Sequence, residues 1–228
     1  MKNSIVIMYC LVVLTFKLDA QIFKQDYTWL FEGQAYSMQL ILNSRTYEYY
    51  HKSDKRLLFT KDAALGKFFN IKDNDNLIKM LSDKLIVLAR RNKISVDKLP
   101  DFAAAFVQYI PYDSVKAEKI LSENWSADTE LNFHYETVYT NKGVCTDKSI
   151  LLVSILRYLG YGAAVILMEK EFHAAAAIYN PSDARLNNSK YSYIETTAAA
   201  PIGYIPEHIS IPDIEILQKS VGKAYKSK

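Results

Sequence analysis

Alternation and helical spacing divide most of the chain into elements before composition is considered. Tyr36, Met38, Leu40 and Leu42 alternate with Ser37, Gln39, Ile41 and Asn43, the period of a strand with one buried face. Tyr27 to Phe31 precedes this run across Glu32-Gly33-Gln34, so 27–43 is predicted to form a hairpin, and Ser44 is placed to begin a short helix over 44–53. The polar stretch Lys72-Asp73-Asn74-Asp75-Asn76 leads into Leu77, Ile78, Leu81, Leu85 and Leu88 at helical spacing. Arg90 and Arg91 suit the negative end of that helix, which is predicted over 77–91. Pro100-Asp101 opens a second helix, Phe102 to Tyr109, which stops before Pro111. Residues 111–141 carry little periodicity and read as a long connection. The run Ile150-Leu151-Leu152-Val153, Ile155-Leu156 and Leu159 is apolar on nearly every face, follows Asp147 and ends at Gly160. It predicts a buried helix with Cys145 at its N-terminal edge. Ala163 to Met168 is a strand-length apolar run. Phe172 to Tyr179 contains four alanines, which favour helix by propensity, but it is short, apolar throughout and closed by Asn180-Pro181, so it reads as a strand. A polar loop over 182–190 leads to a strand over Tyr191 to Thr197 with Tyr191, Tyr193 and Glu195 on one face. From Ile211 onward, with Lys219, Lys223, Lys226 and Lys228, the chain reads as a surface tail.

The first residues follow another pattern. Lys2 precedes an apolar run, Ser4 to Phe16, closed by Lys17. At 1.5 Å per residue the run is too short for the ~30 Å hydrocarbon core of a bilayer, and it has the length of a signal-peptide apolar region. Residues 1–20 are therefore expected to be a signal peptide cut after Ala20, leaving 21–228 as a single domain of a secreted or periplasmic protein with no stable membrane insertion. Cys10 is lost with that segment, so Cys145 remains as the single cysteine and no internal disulfide can form. Its thiol is then either packed and inert or reactive. Half of the 228 residues are hydrophobic and 23% are charged, which excludes a disordered or collagenous chain. A formal charge of +3 from scattered basic residues leaves no electrostatic footprint for nucleic acid, so no such partner is expected. Few glycines (7) and many tyrosines (17) disfavour Gly-rich phosphate loops and favour aromatic packing.

Cys145, His173 and Glu195 follow one another at a helix N-terminus, a strand and the next strand. A helix N-terminus carries roughly half a positive charge, which favours a thiolate, and a neighbouring imidazolium adds to it. The imidazole can take up and return a proton while a carboxylate on its far nitrogen fixes tautomer and orientation. Two neighbouring antiparallel strands can set His173 beside Glu195, facing the helix end. Each residue also has a plain structural reading: a packed thiol, a half-buried histidine at a strand start and a solvated carboxylate at a strand end. His51 and His208 lack supporting context, and His134, a little upstream of Cys145, is the reserve base. There is no His-Glu-x-x-His and no Cys-x-x-Cys, and Asp73-Asn74-Asp75 lacks the glycine and terminal glutamate of a calcium loop. No dinucleotide or phosphate fingerprint occurs, so neither cofactor nor metal is implied.

As a set, certain segments resemble the core of the transglutaminase-like superfamily. They are Gly143-Val144-Cys145-Thr146-Asp147-Lys148-Ser149-Ile150-Leu151-Leu152, Leu159-Gly160-Tyr161, His173 in its short apolar strand, and Tyr191 to Thr197. Phe106 to Tyr112 and Tyr135-Glu136-Thr137 extend the likeness over 102–200, and the hairpin at 27–43 resembles N-terminal segments of microbial members. The resemblance implies an α+β fold: a papain-like core with a central buried helix packed on an antiparallel sheet, plus an N-terminal β-hairpin. It also implies Cys145 as nucleophile, His173 as general base and acid, and Glu195 as orienting carboxylate. Two departures stand out: Val144 and Thr146 occupy positions that are acidic in many relatives, and Glu195 replaces a frequent aspartate and is one methylene longer.

The expected function is that of a thiol-dependent enzyme acting on amide bonds in a peptide or protein substrate. Cys145 attacks the carbonyl, His173 protonates the leaving amine, and water or a primary amine resolves the thioester. The Cys145 N–H is an expected oxyanion donor. Water as acceptor makes a peptidase or amidase and lysine makes a transglutaminase; hydrolysis is favoured because water is abundant outside the cell and nothing marks a lysine channel. The rival class is a catalytically degenerate module that keeps the fold to bind peptide or glycan, a reading supported by Val144 and Thr146.

Overall fold

The computed structural model describes residues 21–53, 55, 61–69, 76–122 and 131–226. The expected signal segment, the polar residues 72–75 and Lys228 lie outside the described residues. The predicted hairpin extends further back than the alternation alone marks: β1 (Ile22–Phe31) pairs antiparallel with β2 (Gln34–Asn43). At its tip Glu32 and Gly33 both have positive φ, 49° and 78°, the pair of left-handed residues a two-residue hairpin turn requires. Asn43 then caps α1 (Ser44–His51), its side chain accepting the Arg45 N–H at 2.8 Å. After α2 (Lys61–Phe69) comes α3 (Leu77–Arg91), with the bounds its periodicity predicts. Next is α4 (Leu99–Gln108), which holds Pro100 in its first turn, where a missing N–H costs nothing.

Residues 111–141 are not one long connection. They contain α5 (Ser114–Ser122) and α6 (His134–Thr140). Periodicity misses both because α5 buries none of its residues and α6 is only about two turns long. Local caps define their starts: Asp113 Oδ1 accepts the Lys116 N–H at 3.2 Å, and the Glu136 carboxylate accepts the Phe133 N–H at 3.0 Å.

The central helix is α7 (Cys145–Tyr158), buried along most of its length and closed by Gly160 at φ 85°, a left-handed cap. It packs on a four-stranded antiparallel sheet of order β5-β4-β3-β6, formed by β3 (Ala163–Met168), β4 (His173–Tyr179), β5 (Tyr191–Ile194) and β6 (Glu215–Leu217). Ala163, Val165, Leu167, Ala174, Ala176 and Ile178 share the core with α7, while Ala164, Ile166, Met168, Ala175 and Ala177 join Tyr191, Tyr193 and Leu186 in a second cluster. This two-sided burial explains the alanine run. β4 is an inner strand paired with β3 and β5, and its small side chains let α7 approach, so pairing overrides helix propensity. Helices α3, α4 and α6 pack around α7, and the hairpin closes over α4 through Trp29, whose ring centroid lies 5.4 Å from Phe102 and 5.3 Å from Phe106. The architecture is thus α+β, with a buried helix on an antiparallel sheet and an added hairpin.

The segment from Ile211 is not a surface tail. Ile216 of β6 pairs with Ile166, the Ser220 N–H donates to the Ala163 carbonyl at 3.1 Å, and the Tyr225 N–H donates to the Tyr179 carbonyl at 2.8 Å. Tyr225 is itself buried. Gly162 and Gly222 meet where a Cβ on either would come within 2.6–2.7 Å of main-chain atoms, so this crossing admits no side chain. A three-residue strand is too short to leave a periodic signature. Among the described residues, no helix is long and apolar enough to cross a membrane.

Candidate active site

Cys145 is the first residue of α7, and the turn leading into it is fixed from several sides. The fully buried Asp147 carboxylate accepts the Val144 N–H at 3.1 Å, the Asn132 N–H at 2.7 Å and Lys116 Nζ at 2.8 Å. The Gly143 N–H donates to the Pro111 carbonyl at 3.2 Å, and the Gly143 carbonyl accepts the Asp113 N–H at 3.2 Å. On the other side, the Ser149 hydroxyl donates to the Cys145 carbonyl at 2.7 Å and lies 3.2 Å from the Thr196 hydroxyl, which straps the segment after β5 to the first turn of α7. The thiol is buried, with Thr146 Oγ1 3.9 Å from Sγ. It lines a small cleft of about 40 Å³ with Tyr112, Leu121, Leu131 and Phe172.

The sheet supplies the other two groups. Ala176 pairs with Ile194, so the next residue, Glu195, falls diagonally across from His173 on the same face. His173 Nε2 lies 3.1 Å from Glu195 Oε2, which also accepts the Tyr193 hydroxyl at 2.9 Å. Glu195 Oε1 accepts the Thr196 N–H at 2.9 Å, the Thr197 N–H at 2.8 Å and the Thr197 hydroxyl at 2.6 Å. These bonds explain why β5 ends at Ile194 and not at Thr197: the Glu195 side chain captures main-chain donors next to it. Gln108, at the end of α4, donates from Nε2 to the carbonyls of Glu195 and Ala200, both at 2.9 Å.

Burial alone would raise the Glu195 carboxyl, but the hydrogen bonds from His173 and Thr197 and the imidazolium charge hold it at about 2. Burial would lower the His173 imidazole. Its hydrogen bond with Cys145, then the hydrogen bond and charge of Glu195, outweigh that and raise it to about 10. Glu195 occupies Nε2, so Nδ1 is the ring nitrogen left for the thiol. At neutral pH this histidine is an imidazolium anchored on a carboxylate, with a sulfur on its other side. That arrangement can deliver a proton to a group leaving from an atom the sulfur attacks.

The structure brings Cys145, His173 and Glu195 together. The reserve base His134 opens α6 and is buried with its ring 5.9 Å from that of Tyr50 in α1. His51, for which the sequence offers no context, lies 3.1 Å from Glu136, which also accepts Lys55 Nζ at 2.6 Å. His208 is exposed. Tyr193 belongs to the site and is marked by the same alternation that marks Glu195. Gln108 and Lys116 carry no such mark, because they reach the site from 87 and 31 positions away in the chain. A larger cavity of about 530 Å³, lined by Leu30, Asp101, Ile202 and Tyr225, lies away from the sulfur and shares Gln108 with this network.

Residues 91–181 match the family model of the transglutaminase-like domain, which supports the likeness to the transglutaminase-like superfamily. The match includes Cys145 and His173 and ends before Glu195. A solved structure described as a crystal structure of a TGase aligns with a TM-score of 0.39 and 24% identity over 83% of this chain and 48% of that chain. This chain therefore spans about half the length of that one. The comparison with curated proteins gives no match.

Proposed function

We propose that the chain is a thiol-dependent enzyme that cleaves or transfers amide bonds of a peptide or protein, working through Cys145, His173 and Glu195. The observation that best supports this is the 3.1 Å bond between His173 Nε2 and a Glu195 carboxylate held by four further donors, beside a cysteine at a helix N-terminus. In this reading Cys145 Sγ bonds to the carbonyl carbon and the carbonyl electron pair moves onto oxygen, next to the Cys145 N–H, one of the donors a helix leaves over at its start. Collapse breaks the C–N bond, and the Nδ1 proton of His173 passes to the departing amine. The neutral imidazole then takes a proton from water or a primary amine as that group bonds to the thioester carbon; collapse of this second adduct breaks the C–S bond, and the sulfur leaves with its electron pair beside the imidazolium, as at the start. Glu195 stays ionised throughout and holds the imidazole in one tautomer. Hydrolysis is the favoured outcome because nothing in the sequence marks a lysine channel. Lys2 and its apolar run support export to a secreted or periplasmic location, with 21–228 as one domain and 102–200 as its core.

A peptide library offered together with a tagged primary amine tests the proposal. Cleaved or tagged peptides that vanish with Cys145→Ala are expected; neither product from folded protein would overturn it. The burial of Cys145 and the 40 Å³ cleft favour a second reading, a binding module that keeps the fold without turnover.

A further inference from the structure

We propose that Lys148 is a positioning residue of this site, a buried cation that balances the charges of Cys145, His173 and Glu195 and so favours the anionic sulfur. The inference rests on the reading of Cys145 and His173 given above. Lys148 follows Cys145 by about one turn of α7 and is fully buried. Its Nζ donates to the carbonyls of Gln108 at 3.1 Å and Ile110 at 2.7 Å, where α4 ends and unpaired carbonyls gather partial negative charge. Gln108 joins the two features, because its carbonyl holds Lys148 while its amide holds the Glu195 carbonyl.

Capping a helix end does not require a charge. A neutral donor satisfies a carbonyl, whereas a buried ammonium is costly unless negative groups compensate it. Charge counting identifies the compensation. The Glu195 carboxylate and the His173 imidazolium cancel, so a thiolate formed at Cys145 is the negative charge left for Lys148 to offset. Burial pushes the ammonium down to about 8, against the opposing pull of Glu195 and Cys145. The other titratable groups around the site are Asp147, Asp113, Tyr193 and Tyr112, the last with its hydroxyl pushed up by burial. Asp147 on α7 pairs with Lys116, Asp113 beside Tyr112 pairs with Lys142 at 3.0 Å, and the Tyr193 hydroxyl donates to Glu195.

The test is the pH profile of Cys145 alkylation by iodoacetamide, from about pH 4 to 9, in native protein, Lys148→Gln and Lys148→Met. Glutamine removes the charge and keeps amide donors for the two carbonyls. The midpoint of the rising limb is expected to move up by about one pH unit in both variants, with the thermal midpoint lowered mainly in the Met variant. An unmoved profile in folded Lys148→Gln overturns the proposal and leaves Lys148 as a helix cap. If neither variant folds, lysine 13Cε NMR on native and Cys145→Ser protein reads the same coupling from the other side. Linkage then requires Lys148 to titrate at lower pH once the sulfur is gone, and an unmoved resonance overturns the proposal. Peptide turnover separates this result from the enzyme reading. A Lys148-dependent profile without turnover keeps this inference and sinks the enzyme, while turnover with an unmoved profile does the reverse.

Discussion

Glu195 meets five donors with two oxygens. A glutamine of the same size must turn its amide hydrogens toward at least one donor and cannot stabilise an imidazolium. Glu195→Gln is therefore expected to fold but to lose turnover by roughly 10- to 10³-fold, less than the ~10⁴ lost with the acid of a serine triad because a thiol is the better nucleophile; kcat on any substrate from the library measures this. The same pair sets a pH window. The Glu195 carboxyl lies below its ordinary 4.5, so its stabilisation is complete above that value and lost as the pH falls through about 2. His173 lies above its ordinary 6.5, so its stabilisation is complete below that value and lost as the pH rises through about 10. The His173–Glu195 contact is common to both shifts and is counted once; Cys145 adds to the shift of His173 and Thr197 to that of Glu195. Denaturation midpoints measured across this range should fall at both ends in native protein, whereas Glu195→Gln should lose the acid limb and weaken the alkaline one, which Cys145 also supports.

At the N-terminus of α7, Asp147 joins three otherwise separate segments through Val144, Asn132 and Lys116. Asp147→Ala leaves those donors without their acceptor. Breaking a buried pair ordinarily costs about 3–5 kcal/mol, but burial already pushes this carboxyl up, so its removal returns part of the desolvation cost and a net loss of about 2 kcal/mol is expected by urea titration. Elements that carry their own periodicity were the legible ones. The bounds of α3 follow from apolar spacing together with Arg90 and Arg91, those of β3 from an unbroken apolar run, and α7 is legible in its apolar run and Gly160. In contrast, α5 and α6 depend on single caps at Asp113 and Glu136, and β6 depends on a partner strand far away in sequence, so neither kind of element leaves a pattern of its own. The site divides in the same way. Cys145, His173 and Glu195 are reactive side chains in a readable order along the chain, whereas Gln108, Lys116 and Lys148 serve the site only through contacts made across the fold.

The C-terminal segment ties the sheet together, since β6 covers the free edge of β3 and Tyr225 reaches Asp101 in α4. Truncation after Ser210 should lower the thermal midpoint by roughly 5–10 °C and expose a strand edge that self-associates, which calorimetry and light scattering would detect. A native-like monomer with an unchanged midpoint would return that segment to the status of a tail. With the sheet intact, His173 and Glu195 are held against the start of α7, and the proposed chemistry requires that this placement activate the sulfur. The most direct measurement is the rate of Cys145 alkylation by iodoacetamide at about pH 6, in native protein and in His173→Ala, against free cysteine. Native protein is expected to react at least about tenfold faster than free cysteine, and His173→Ala to lose the advantage. A sulfur that reacts no faster than free cysteine, or only after denaturation, would contradict the proposed chemistry.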